Sequence, residues 1–94
     1  MLKIVFLDTA TMGNVPNLKD LNQFGNVIYY DLTSPEETIE RLKDANIAIT
    51  CKVVINKNII DSCRMLNMIC AAATGVNHID VEYANSKGII VKNV

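Results

Sequence analysis

Three stretches of this chain gather side chains and backbone with chemical potential. The first is Asp8-Thr9-Ala10-Thr11-Met12-Gly13-Asn14. The second begins at Cys51-Lys52. The third is Ala73-Thr74-Gly75-Val76-Asn77-His78-Ile79-Asp80. The third carries the most information. A small-residue run, Ala71-Ala72-Ala73, leads into Thr74-Gly75, and Gly75 lets the backbone turn sharply and approach a ligand closely. Successive N–H groups at Thr74, Gly75 and Val76 could form a concave anion site that takes a carboxylate without an arginine. The same residues would also make an ordinary strand-to-helix turn, and spacing alone leaves both readings open. Lys52 could offer an ammonium to an acidic ligand, or stand as a solvated charge at a loop start. His78 could move a proton, but a single His beside an acid is no catalytic constellation and suits a surface or helix-entry position. Asp80 fits a helix cap. Asp8 fits a bond to loop backbone better than a metal, since no second acid lies beside it.

Several chemistries are missing from the chain. It has neither G-x-G-x-x-G nor G-x-x-x-x-G-K-[ST], so no glycine loop is available to cradle phosphates. A phospho-receiver domain needs an acid pair after its first strand and an Asp after its third, and the third strand here ends Thr50-Cys51-Lys52. A flavin site of the flavodoxin kind wants aromatic later loops, and Trp is absent. Cys51, Cys63 and Cys70 lie at gaps of 12 and 7, with no C-x-x-C, and with the lone His78 they are too few for a zinc site. They read as reduced, mostly buried thiols. Nine Lys and Arg against ten Asp and Glu leave a net charge of −1, which argues against a nucleic-acid partner. The longest apolar run, Met68 to Ala73, is far short of the ~20 residues that span a bilayer, and Ile4–Leu7 is too short for a signal-peptide core. These features predict a cytoplasmic chain with no membrane partner.

The elements that must position the three loops follow from periodicity. Apolar runs at Ile4–Leu7, Val27–Tyr30, Ile47–Thr50, Leu66–Ala73 and Ile89–Val91 begin 23, 20, 19 and 23 residues apart. Continuous rather than alternating runs mark strands covered on both faces. Helical patterns fill the gaps. Leu18, Leu21 and Phe24 precede Gly25 as a stop. Ser34-Pro35-Glu36-Glu37 makes a cap with a capping box, before an apolar face of Ile39, Leu42 and Ala45. Asn56 caps a third helix bearing Ile59, Ile60 and Cys63, and Asp80 caps a fourth, Val81 to Lys87, that Gly88 ends. Strands alternating with helices predict one domain over residues 1–94. Its expected fold is α/β, flavodoxin-like and three-layered, with a five-stranded parallel sheet in the order 2-1-3-4-5. Ligands in such sheets sit beyond the carboxyl ends of the strands, where the three loops lie.

The stretch from Leu66 to Asp80, with Gly88-Ile89-Ile90-Val91-Lys92-Asn93-Val94, resembles the D-isomer-specific 2-hydroxyacid dehydrogenases, and within them the glycerate dehydrogenase (hydroxypyruvate reductase) branch. That branch typically reads A-T-G-x-N-x-[IV]-D, then a helix, then G-I-x-V-x-N-V. Phe6-Leu7-Asp8, Glu40-Arg41 and Thr50-Cys51-Lys52, where the family commonly has T-N-K, resemble it too. The resemblance implies a substrate domain split in sequence around a Rossmann-type NAD domain, with this chain matching the amino-terminal part of the substrate domain. The family's glycine-rich loop and its catalytic Arg, Glu and His match nothing here, and His78 is not the catalytic His. What carries over is the binding of the substrate carboxylate by backbone amides at Thr74 and Gly75, with Val76 alongside, and a place for Lys52 in the substrate pocket. Cys51 stands where Asn is usual, which leaves the fine substrate preference open.

The activity so implied is hydride transfer between a nicotinamide, NAD or NADP, and C2 of a small 2-oxo acid such as hydroxypyruvate or glyoxylate. The chain alone is then expected to be inactive and to bind no cofactor. Two other readings remain at this point: a stand-alone small-acid-binding or interaction module, and a degenerate receiver domain. Without a returning segment packed on it, the domain is expected to expose an apolar patch and form a homodimer as concentration rises.

Overall fold

The apolar runs form the strands of one sheet, buried in the central strands and partly exposed in the edge strands. The fold comes from a computed structural model, which describes residues 2–12, 25–72 and 77–93. The strands are β1 (Leu2–Phe6), β2 (Gly25–Tyr29), β3 (Ile47–Thr50), β4 (Met68–Ala71) and β5 (Ile90–Asn93). All pair in parallel, in the expected order β2-β1-β3-β4-β5. The helices are α1 (Pro35–Leu42), α2 (Lys57–Ser62) and α3 (Val81–Ser86), and a short 3-10 turn covers Thr9–Met12.

The predicted caps form. Ser34 N–H donates to Glu37 Oε1 at 3.0 Å with Pro35 at the first turn of α1. Ile59 N–H donates to Asn56 Oδ1 at 3.0 Å, and Tyr83 N–H to Asp80 Oδ1 at 3.1 Å. Gly88 ends α3 with a φ of 80°, a conformation that favours glycine. Gly25 has a role in the sheet besides the helix stop expected of it. It opens β2 opposite Leu2, and a Cβ there would stand 2.3 Å from the Leu2 carbonyl oxygen. Close strand approach is a further reason for glycine here. The helix expected over Leu18–Phe24 lies outside the described residues. β4 is shorter than the run from Leu66, because Asn67 N–H turns to Asn46 O at 2.7 Å before ladder pairing begins.

The described helices cover one face of the sheet. The row Val5, Ala48 and Ile69 packs there against Leu42, Ile55, Ile60 and Ala84. The opposite face carries a smaller cluster of Ile4, Phe6, Ile49 and Cys51. Two loops at the carboxyl ends are then stitched together. Ile55 pairs with Ile79 in an isolated parallel bridge, Ile55 N–H donating to His78 O at 2.8 Å and Asp80 N–H to Ile55 O at 3.0 Å. No described helix is long and apolar enough to cross a membrane.

Candidate functional site

The chain leaves β1 through Leu7 and places Asp8 at the carboxyl end of the sheet, only 1% exposed. A buried carboxylate is costly unless its oxygens are bonded. Asp8 meets that requirement across the β1–β3 pair: Cys51 N–H donates to Oδ1 at 2.8 Å and Lys52 N–H to Oδ2 at 2.7 Å. The acid thus does what its sequence position suggested, fastening loop backbone. Thr50 Oγ1–H donates to Val53 O at 3.0 Å and closes the same turn. The turn is therefore held at both ends, and the exposed Lys52 side chain leaves from a fixed backbone.

Lys52 lines a cleft of about 500 Å³ at this end of the sheet. Asp8, Thr33 and Asn56 supply polar edges, while Leu32, Val53 and Val54 supply an apolar wall. The opposite lip, Leu32-Thr33, is held by a network centred on Arg41. Arg41 Nη1 donates to Leu32 O and to Thr33 Oγ1, both at 2.7 Å, and Thr33 Oγ1 donates to Leu7 O at 2.6 Å. The guanidinium lies 3.9 Å from the Tyr30 ring centroid and pairs with Glu37 at 2.8 Å. The Ser34 backbone N–H, then the Ser34 side chain, then Arg41 hold the Glu37 carboxyl below the usual carboxylate range. One end of α1 thereby fixes one lip and the Asp8 clamp fixes the other.

The structure places Lys52 in this cleft. Thr74, Gly75 and Val76 lie outside the described residues. Their neighbours are placed, since the Ile55–Ile79 bridge sets residues 77–80 beside the loop that follows Lys52. His78 does not line the cleft. It is half-buried, its Nε2 finds no hydrogen-bond partner among the described residues, and its carbonyl serves the bridge. Asp80 is the cap it was read as. Cys51, Cys63 and Cys70 are free thiols, and no described group of three His, Cys, Asp or Glu could hold a metal. The Arg41–Thr33 network and the Leu32–Val54 wall were not read from the sequence. The only local signal for the network was the Glu37/Arg41 spacing of four.

The described glycines have structural duties, Gly25 against Leu2 and Gly88 at a helix end. Neither offers a cradle for a dinucleotide phosphate, and the chain has no G-x-G-x-x-G. What the arrangement can hold is a small molecule at the carboxyl ends of β1 and β3, with one cation, two or three polar groups and an apolar wall.

Fold and cleft define a flavodoxin-like α/β domain with an open cleft at the strand ends. Residues 4–94 match the family described as D-isomer specific 2-hydroxyacid dehydrogenase, catalytic domain, and the chain belongs to that family. It is 38% identical over 98 residues to a hydroxypyruvate reductase of Blautia hydrogenotrophica, covering 99% of this chain and 30% of the relative. It is 33% identical over 93 residues to a glycerate dehydrogenase of Methylorubrum extorquens, covering 98% and 29%. Among solved structures, an NAD+-bound 3-phosphoglycerate dehydrogenase of Entamoeba histolytica superposes with a TM-score of 0.79 at 27% identity, over 98% of this chain and 32% of that one. The chain spans about 30% of the length of these two curated relatives.

Proposed function

We propose that residues 1–94 form the amino-terminal part of the substrate-binding domain of an NAD- or NADP-dependent oxidoreductase. It would interconvert a small D-2-hydroxy acid and its 2-oxo acid, of the glycerate/hydroxypyruvate or glyoxylate class. Family membership and the names of the relatives support the reaction class. The observation that carries the site is the Asp8 clamp, which sets Lys52 at the mouth of a cleft of suitable size.

In this reading the backbone amides of Thr74 and Gly75, with Val76 beside them, grip the substrate carboxylate. Lys52 adds positive potential to the same pocket. The apolar wall of Leu32, Val53 and Val54 excludes water from the acid and limits its poses. In the same reading, cofactor binding, the redox step and its acid–base groups belong to a partner domain. The chain by itself is then inactive and binds no NAD or NADP. Three free thiols in a small domain agree with a cytoplasmic location.

The test is a titration of the ¹⁵N-labelled chain with hydroxypyruvate and with D-glycerate. Saturable shifts at Lys52 and at Thr74 to Val76 are expected, weakened about three- to tenfold in Lys52→Gln. Shifts confined to other parts of the domain would overturn the reading. NADH-dependent reduction of hydroxypyruvate by the chain alone would overturn the assignment of the chemistry to a partner domain.

A further inference from the structure

Arg41 spends most of its fork outside its own helix. An ion pair with a glutamate four residues back, such as Glu37, is worth little by itself on a helix surface. Yet the Arg41 side chain is only 20% exposed. Its Nη2 takes Glu37, while Nη1 reaches Leu32 O and Thr33 Oγ1, and the guanidinium lies over the Tyr30 ring. A planar guanidinium can serve all of these partners at once, which a lysine ammonium cannot.

The segment from Tyr30 to Thr33, held in this way, grips the chain on both sides of Asp8. Thr33 Oγ1 donates its hydrogen to Leu7 O across 26 positions of sequence. On the other side, Thr9 N–H donates to Tyr30 O at 3.0 Å and Ala10 N–H to Asp31 O at 3.1 Å. Asp8 therefore stands between anchored neighbours, and its carboxylate holds the Cys51 and Lys52 amides. Bonds to a buried carboxylate are costly to lose and weaken steeply out of line, so a shift of Asp8 must move those amides with it. The two lips of the cleft thus form one path, from Arg41 through Thr33, Leu7 and Asp8 to Lys52. Thr33 lines the cleft, but its hydroxyl hydrogen is already given to Leu7 O, so its service there is position and not donation to an anion.

We propose that Arg41 is a positioning residue for the cleft at Lys52, acting through Thr33 and the main chain at Leu7 to fix Asp8 and the loop that Asp8 holds. Its effect on substrate rests on the dehydrogenase reading of this cleft; its effect on the loop does not.

The experiment compares ¹⁵N spectra of the ligand-free full chain in wild type, Arg41→Met, Arg41→Lys and Ile39→Ala. Ile39→Ala loosens α1 from its core side and leaves the bonds of Arg41 in place. Arg41→Met is expected to shift the Cys51 and Lys52 amides and to speed their exchange with water about tenfold. Arg41→Lys keeps a charge beside Glu37 without the fork, and should recover no more than about half of that change. Ile39→Ala should lower stability and leave both amides at their wild-type positions. Should Arg41→Met fail to fold, Thr33→Val cuts the same path at the hydroxyl and should move the same amides. Unmoved Cys51 and Lys52 amides in the variant that folds overturn the proposal, as do equal movements in Ile39→Ala, which would mark a general loosening. Titration with hydroxypyruvate is read separately, and Arg41→Met should bind it about three- to tenfold more weakly than wild type. Equal binding by the two overturns the positioning role. A wild-type chain that binds none sinks the dehydrogenase reading instead, and the ligand-free amides still decide Arg41.

Discussion

The two faces of the sheet are built from the same strands and differ in cover. Beneath α1, α2 and α3, the row Val5, Ala48 and Ile69 is fully buried. On the other face the matching row runs Ile4, Ile47, Met68, Ile90, and its burial fades across the sheet until Ile90 is 51% exposed. The face closed by described helices therefore carries the packing energy. The other face, toward β4 and β5, is the one with apolar surface to spare. The sharpest way to break this comparison is one substitution on each face. Ile69→Ala should cost about 2–5 kcal/mol, enough to unfold much of so small a domain. Ile90→Ala should cost under about 0.5 kcal/mol. Urea denaturation of both variants decides it, and equal losses would mean that the two faces are equally loaded.

The Asp8 clamp joins β1 to the end of β3, the Asp8 carboxylate accepting from the Cys51 and Lys52 amides. Asp8→Ala leaves the buried Cys51 N–H and the part-buried Lys52 N–H without their acceptor, at a cost of about 3 kcal/mol. Asp8→Asn keeps one good acceptor and should lose roughly half as much. Thermal denaturation gives the stability ranking. The Lys52 amide shift, read alongside, reports whether the loop moves before the fold is lost.

The spare apolar surface has a consequence in solution. Ile90 lies on an edge strand, beside half-buried Met68 and Cys70. Light scattering should show a homodimer that grows with concentration, and Ile90→Lys should return the chain to monomer. A wild-type chain that stays monomeric at millimolar concentration would mean that this surface is too small or too polar to self-associate.

The difference between the faces also explains what could be read in advance. Strand identity and order were legible because continuous apolar runs and capped helices are local signals, each contained within a few residues. Asn56 and Asp80 accept from amides three residues on, and the Ser34 amide donates to Glu37 over the same spacing. The sheet constraint on Gly25 was not legible because it comes from Leu2, a neighbour only after β1 and β2 pair. The site was half-legible. Lys52 and Asp8 were singled out as separate loop residues, but their connection spans 44 positions and exists only once β1 lies beside β3. The Arg41 network was hidden for a related reason: its acceptors, a carbonyl at Leu32 and a hydroxyl at Thr33, have no sequence signature.

Two thiols sharpen the comparison further, one on each face. Cys63 is buried under the helices, and burial pushes its thiol up to about 11. Cys70 is half-buried on the other face, and its thiol is raised as well, by burial. Iodoacetamide should modify Cys70 before Cys63, and mass analysis of early digests gives the order. A raised folded value means that the contribution of Cys63 is fully present below its ordinary value of 9.0 and is lost as pH climbs towards about 11. The alkaline fall in stability should therefore be shallower in Cys63→Ala than in the wild type.

The smallest expected effect lies at the acid end, in the cap that holds α1 on the well-packed face. Glu37 receives the Ser34 N–H and pairs with Arg41, and its folded value is depressed. A depressed carboxyl contributes stability above its unfolded value and loses it as pH falls through the folded one. Glu37→Gln should thus melt slightly below the wild type near neutrality and converge with it in acid, once pH has fallen through the depressed folded value and the native carboxyl is protonated too. Because Glu37 is exposed, salt should shrink the neutral-pH gap without removing the backbone bond. A gap that persisted unchanged at low pH would locate the effect in helix propensity, and the charge would then have no part in holding α1 to the sheet.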